Sequence, residues 1–201
     1  GARSLALGSR VSVASARRVR VRVPATSANL GPGFDTLGIA LAYGDEIVVS
    51  ERAEPGVPLR VTGVGAGEVA TDETNLVARS IAHVFASVGV PMPGLTIDAT
   101  NRIPHGRGMG SSGSAIVAGV MAAAGLLADR REFSDDELLG LATELEGHPD
   151  NVAPALFGGL TIAWTSANGP RSKRLTVHRG VSPLVLVPPF TMSTELARSL
   201  Q

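Results

Sequence analysis

The 201-residue chain has no cysteine, which excludes a disulfide framework and thiolate metal sites. Aromatic residues supply only 3% of it, and 18 acidic residues cancel 18 basic ones. Base stacking and attraction to a phosphate backbone have little to work with, so nucleic acid is not an expected partner. Long apolar runs are missing too. None approaches the roughly 18 residues of a membrane helix, so no membrane association is expected and the cytoplasm is the expected compartment. The opening stretch GARSLALGSRVSVASARR is basic and rich in small residues, without the continuous apolar core of a secretory signal. Residues 1–17 are expected to form a disordered leader.

What is present is a hydrophobic share of 44%, enough for one sizeable core. Arg and Val alternate from Arg18, the period-two pattern of a strand with one buried face. Pro24, which cannot donate to a ladder, is expected to end that strand, with TSANLGPGFDTLG following as a loop. β-Branched runs at Asp45–Glu51 and Pro58–Val64 flank Glu54-Pro55-Gly56 and predict an antiparallel pair. Leu76, Val77, Ile81, Val84, Phe85 and Val88 recur at helical spacing and predict an amphipathic helix over 75–88. After a strand at Leu95–Ala99, the stretch SSGSAIVAGVMAAAGLLA reads as a helix buried on most sides. Ser134 and Glu137 have the spacing of a capping box before a helix through Leu145. A short helix in HPDNVAPALFGG stops at Gly158-Gly159. Strands at Leu160–Trp164, Arg174–His178 and Pro183–Val187 and a helix over Ser193–Gln201 complete the pattern. Without a regular β-α-β rhythm, these elements predict an α+β fold, a mixed or antiparallel sheet packed on helices.

Three segments concentrate chemistry. In PHGRGMGSSGSA, the glycines at 106, 108 and 110 let the backbone approach a ligand closely. Ser111 and Ser112 fall in the first turn of a helix, where free amide groups and the dipole attract phosphate. A serine hydroxyl there suits Mg²⁺, the cation that accompanies ATP. No Gly-Lys-Ser/Thr follows, so this is not a Walker A loop. Gly108–Gly113 satisfies G-x-G-x-x-G, but a dinucleotide site would place it directly after its strand, and Asn101, Arg102 and Pro104 intervene. A glycine-rich turn that only lets a helix pack closely is the bland alternative.

In PATSANLGPGFD, Asn29 and Asp35 flank strong turn chemistry and either support that turn or project toward polar substrate groups. ELEGHPDN, Glu144 to Asn151, gathers proton-handling and ligand types in eight residues but has no zinc spacing. Asp150 and Asn151 are the candidates to orient a reacting hydroxyl or phosphoryl group, with Asp150 as the possible base.

In this order the three segments resemble the motifs of the GHMP family of small-molecule kinases, over about residues 19–201. The resemblance implies the family's N-terminal ATP-binding domain, a ribosomal protein S5 domain 2-like fold, over 18–180. Residues 181–201 would then begin a C-terminal domain left incomplete at Gln201. It implies ATP and Mg²⁺ as cofactors and phosphorylation of the L-homoserine hydroxyl to O-phospho-L-homoserine in threonine biosynthesis. Pro104, His105, Gly106, Arg107, Gly108, Met109, Gly110, Ser111, Ser112, Gly113 and Ser114 would wrap the ATP phosphates, with Asn75 on the nucleotide side. Ser112 and Glu144 would hold Mg²⁺, Asn29, Asp35 and His148 would contact the substrate, and Thr194 with Arg198 would take its carboxylate. The family's Ser-Ser-Ala-Ala step is replaced by Ser112-Gly113-Ser114, which keeps the small size. A homodimer is compatible with the resemblance. Two alternatives stay open: another acceptor on the same fold (mevalonate, an isoprenoid precursor or a sugar), or an inactive, merely nucleotide-binding chain.

Overall fold

The alternating Arg-Val segment separates into two faces. Val19, Val21 and Val23 are buried at 1%, 0% and 2% exposure, while Arg18, Arg20 and Arg22 face solvent. The computed structural model describes residues 18–190, together with the backbone of residues 10–15. Strands β1 (Arg10–Ser15), β2 (Arg18–Leu30), β3 (Gly33–Arg52), β5 (Gly94–Asn101) and β4 (Leu59–Gly63) lie side by side in that order. β6 (Leu160–Ser166) pairs with the other part of β3, and β7 (Gly169–Leu175) with β6. All pairings are antiparallel except β4 with β5.

Helices α1 (Leu76–Ser87), α2 (Ser111–Leu126), α3 (Asp135–Glu146) and α4 (Pro149–Phe157) supply the second layer. Helix α2 is apolar nearly all round and lies against α1, α3, α4 and β2, so it is the centre of the core, with Ile116, Val117 and Val120 closed off from water. Ser134 caps α3 through the Glu137 amide, and the Glu137 carboxylate returns to the Ser134 amide, the capping box expected from sequence. The mixed sheet packed on helices is the expected α+β arrangement.

Five expectations need correction. Residues 10–15 of the expected leader form β1, paired to β2. Pro24 does not end its strand: β2 continues to Leu30 and turns directly into β3, so TSANLGPGFDTLG is a hairpin rather than a loop. The ladder shifts register between Pro24 and Thr26, and a proline without an N–H is tolerated at such an irregularity. β4 does not pair with β3. It lies parallel to β5, with Leu59 opposite Ile97, and α1 forms the crossover. Residues 183–187 are not a strand, and β7 begins and ends earlier than expected. The expected helix over 193–201 lies outside the described residues.

Candidate active site

Helix α2 starts differently from α1 and α3. Asn75 caps α1 by accepting from the Val77 amide, and Ser134 caps α3, but α2 begins at Gly110, which has no side chain to cap with. No side chain of the cap residue satisfies the first amide groups of α2, which carry the positive end of the helix dipole. Gly106, Gly108 and Gly110 all lie in the left-handed region, at φ of 64°, 71° and 64°. At Gly110 the requirement is also steric, because a Cβ there would overlap Thr26 Oγ1.

In front of this helix start is a cavity of about 350 Å³ lined by Asn75, Leu76, His105, Ser111, Ser112 and Ala115, with Val61 and Val69 as apolar walls. Its lining combines the polar side chains of Asn75, His105, Ser111 and Ser112 with the apolar side chains of Leu76, Ala115 and the two valines. Asn75 also donates through its side chain to the Ala70 carbonyl (2.7 Å), which ties the 64–74 loop to the cavity wall.

Thr26, fully buried, donates through Oγ1 to Asn151 Oδ1 (3.1 Å). With its oxygen engaged, the Asn151 amide presents its N–H₂ group to other partners. Ser112 Oγ donates to Glu146 Oε2 at 3.0 Å. His148 and Asp150 are hydrogen-bonded through Nδ1 and Oδ1, and Asp150 is fully buried. Its Oδ2 lacks a hydrogen-bond partner among the described residues. Burial pushes the Glu146 carboxyl above its ordinary value and neighbouring Asp150 adds to this, against the Ser112 hydrogen bond and the His148 charge.

The site residues expected from sequence are therefore placed as follows. His105, Ser111, Ser112 and Asn75 line one cavity. Gly113 packs against Asn151, where a Cβ would come within 3.3 Å. Met109 is buried, and Ser114, also buried, donates to the Pro24 carbonyl (2.7 Å), so both anchor the loop to β2 and its surroundings. Arg107 reaches the Pro188 carbonyl at 3.1 Å. Asn29 and Asp35 sit at the hairpin end, both with positive φ, and the Asp35 amide donates to Asn29 Oδ1 (2.7 Å). Thr194 and Arg198 lie outside the described residues.

Glu144 is displaced from the role expected of it. Its carboxylate is exposed and pairs with His83 (2.8 Å), whereas Glu146 meets Ser112. Two residues along a helix turn a side chain by about 200°, so only one of the two glutamates can face α2. Thr26, Asp45 and Glu146 were missed by sequence reasoning. Glu146 could have been found from helical phase alone, since the apolar Leu138, Leu139, Leu141 and Ala142 mark the inward face of α3.

The start of α2 without a side-chain cap, the cavity in front of it and the Ser112–Glu146 pair lie together at one end of the helix. Residues 75–159 match the GHMP kinases N terminal domain, and the chain carries that domain and its fold. Its relatives are narrower in kind. It is 69% identical to homoserine kinase of Clavibacter michiganensis over 96% of the chain and 61% of that protein. It therefore spans about three-fifths of that relative's length. The crystal structure of homoserine kinase from Cytophaga hutchinsonii superposes with a TM-score of 0.74 at 32% identity, over 94% of this chain and 61% of that one. Mevalonate kinase of Methanococcus jannaschii (TM-score 0.61, 18% identity, 83% of this chain and 57% of that one) shares the fold. Among the described residues no helix is long and apolar enough to cross a membrane.

Proposed function

We propose that this protein transfers the γ-phosphoryl group of ATP to the hydroxyl of L-homoserine. The observation that carries the reading is the uncapped start of α2, opened by left-handed Gly110 and set beside the Ser112–Glu146 pair at 3.0 Å. The choice of homoserine over mevalonate or a sugar is supported by the identity to homoserine kinases, against 18% for the mevalonate kinase. Asn29 and Asp35 are assigned to the amino-acid substrate, as are His148 and, beyond the described residues, Thr194 and Arg198.

Mg²⁺ fits the donors available. No group of three or more His, Cys, Asp or Glu side chains among the described residues could enclose a metal, but a hydroxyl and a carboxylate suit an ion held jointly by protein and phosphates. Ser112 and Glu146 would hold it, and bound there it would neutralise charge on the phosphate oxygens. The chain's own residues do the rest. The α2 amides bind the phosphates, and Asn151, oriented by Thr26, directs its N–H₂ at the reacting group. The substrate oxygen attacks phosphorus in line, the bond to ADP breaks, and the hydroxyl proton leaves with a phosphoryl oxygen or to water.

Asp150 is assigned to hold the His148 ring and not to remove the proton, because its carboxylate is closed off and already bonded to that ring. Asp150→Asn is accordingly expected to keep turnover within severalfold. A loss of ~10²–10⁴ would make it the general base after all. The acceptor assignment is tested by coupled ADP release with homoserine, mevalonate and a sugar in turn. Homoserine is expected to be used in preference, and comparable turnover of either other acceptor would overturn the reading.

A further inference from the structure

The ladder between β3 and β5 has its last pair at Glu46 and Thr100. The backbone that leads from β5 into the phosphate loop thus loses its β3 partner just where the loop's shape begins to matter, while β4 stays paired to it through Asn101. Side chains of β3 replace it. Asp45 Oδ1 accepts from the amides of both Arg102 (2.5 Å) and Ile103 (2.9 Å), and the Tyr43 hydroxyl donates to the Arg102 carbonyl (2.7 Å). Three consecutive backbone groups are held by two side chains. At the far end of the loop the Thr26 amide donates to the Met109 carbonyl (3.1 Å). Ile103 and Met109 are buried with Ala25 in a small apolar cluster apart from the main core, and the half-buried Leu41 packs against it.

Such a frame has a physical purpose. Glycine-rich backbone has many accessible conformations, and ordering it on ligand binding costs affinity unless the protein has ordered it beforehand. We propose that Asp45 and Tyr43 are positioning residues for ATP: they clamp the strand-side end of the phosphate loop and hold it in its binding shape before the nucleotide arrives. Asp45 stands where this would matter, because it lines both the nucleotide cavity and a wider groove of about 690 Å³ bordered by Tyr43 and Arg102. Burial raises its carboxyl and the two amide hydrogen bonds oppose that rise, as expected of a carboxylate retained for those bonds. The inference rests on the ATP-kinase reading above.

The test compares equilibrium MgATP binding and thermal unfolding for the unaltered protein and three variants. Asp45→Ala leaves two amides without an acceptor and is expected to weaken MgATP binding about tenfold. Asp45→Asn, whose amide oxygen accepts the same two bonds, is expected to return within about threefold of the unaltered affinity. Tyr43→Phe is expected to weaken MgATP binding severalfold and, with the cavity lining intact, to fold normally. A purely structural role would lower the melting temperature and leave the affinity of the folded protein unchanged. That result in Asp45→Ala, or in Tyr43→Phe should the alanine variant not fold, overturns the clamp alone. Failure of the unaltered protein to bind MgATP overturns the kinase reading and the clamp with it.

Discussion

Replacing Glu146 by glutamine is expected to cost about a hundredfold or more in Mg²⁺-dependent turnover and at the same time to raise thermal stability at neutral pH. The two effects have one origin. The carboxyl is held beside Ser112 in a half-buried position, and burial raises it above its ordinary value. In the window between the ordinary and the raised value, the native state binds more protons than the unfolded chain, so stability falls as pH rises through that window. Above it the full cost of keeping the group ionised is present. Glutamine removes that cost, so the variant should melt higher at neutral pH and alike in acid below the window. Melting curves at both pH values, with turnover at saturating ATP, check this. Unchanged turnover would exclude Glu146 as a cation ligand. Glu144→Gln provides the contrast: it removes an exposed ion pair with His83, worth about 0–1 kcal/mol, and is expected to leave turnover intact. Loss of activity in that variant instead would restore the assignment made from sequence.

Gly110→Ala is the second large effect. Its φ of 64° is strained for any residue with a Cβ, and that Cβ would overlap the buried Thr26 hydroxyl, which is bonded to Asn151. Left-handed strain and overpacking together predict a loss of about 2–5 kcal/mol of stability. The Thr26–Asn151 bond should be lost with it. Gly108→Ala separates strain from collision, since its φ is 71° but nothing lies within 4 Å of the added methyl. It should cost only about 1–2 kcal/mol. Chemical denaturation of the two variants reads the difference. Equal losses would show that the contact with Thr26 does not constrain the loop.

The elements most legible in the sequence were those whose signal is local. Helix α1 follows from the spacing of its apolar residues, and α3 from Ser134 and Glu137. Helix α2 follows from an unbroken small and apolar run after three glycines. Each depends on contacts within a few residues of chain, where pattern and physics coincide. The backbone shape of the loop before α2 was legible for the same reason, because alternate glycines before a helix start describe such a shape by themselves.

Partnership between distant segments was not legible. The turn at 54–56 reads as a hairpin, yet β4 pairs with β5, more than thirty residues on in sequence, because α1 carries the chain across the sheet. Pro24 reads as a strand end, yet a register shift there lets β2 run on, which brings Thr26 to Gly110 and Asn151. Which glutamate faces Ser112 depends on how α3 is rotated against α2, and which carboxylate receives the loop's first amides depends on where the β3–β5 ladder stops. By itself the sequence determined the glycine-opened start of α2 and the residue types around it, since these need only local backbone preference. The tertiary structure alone decided the partners, Glu146 for Ser112, Thr26 for Asn151 and Asp45 for Arg102 and Ile103, because a contact between segments 34 to 125 residues apart depends on how whole elements pack.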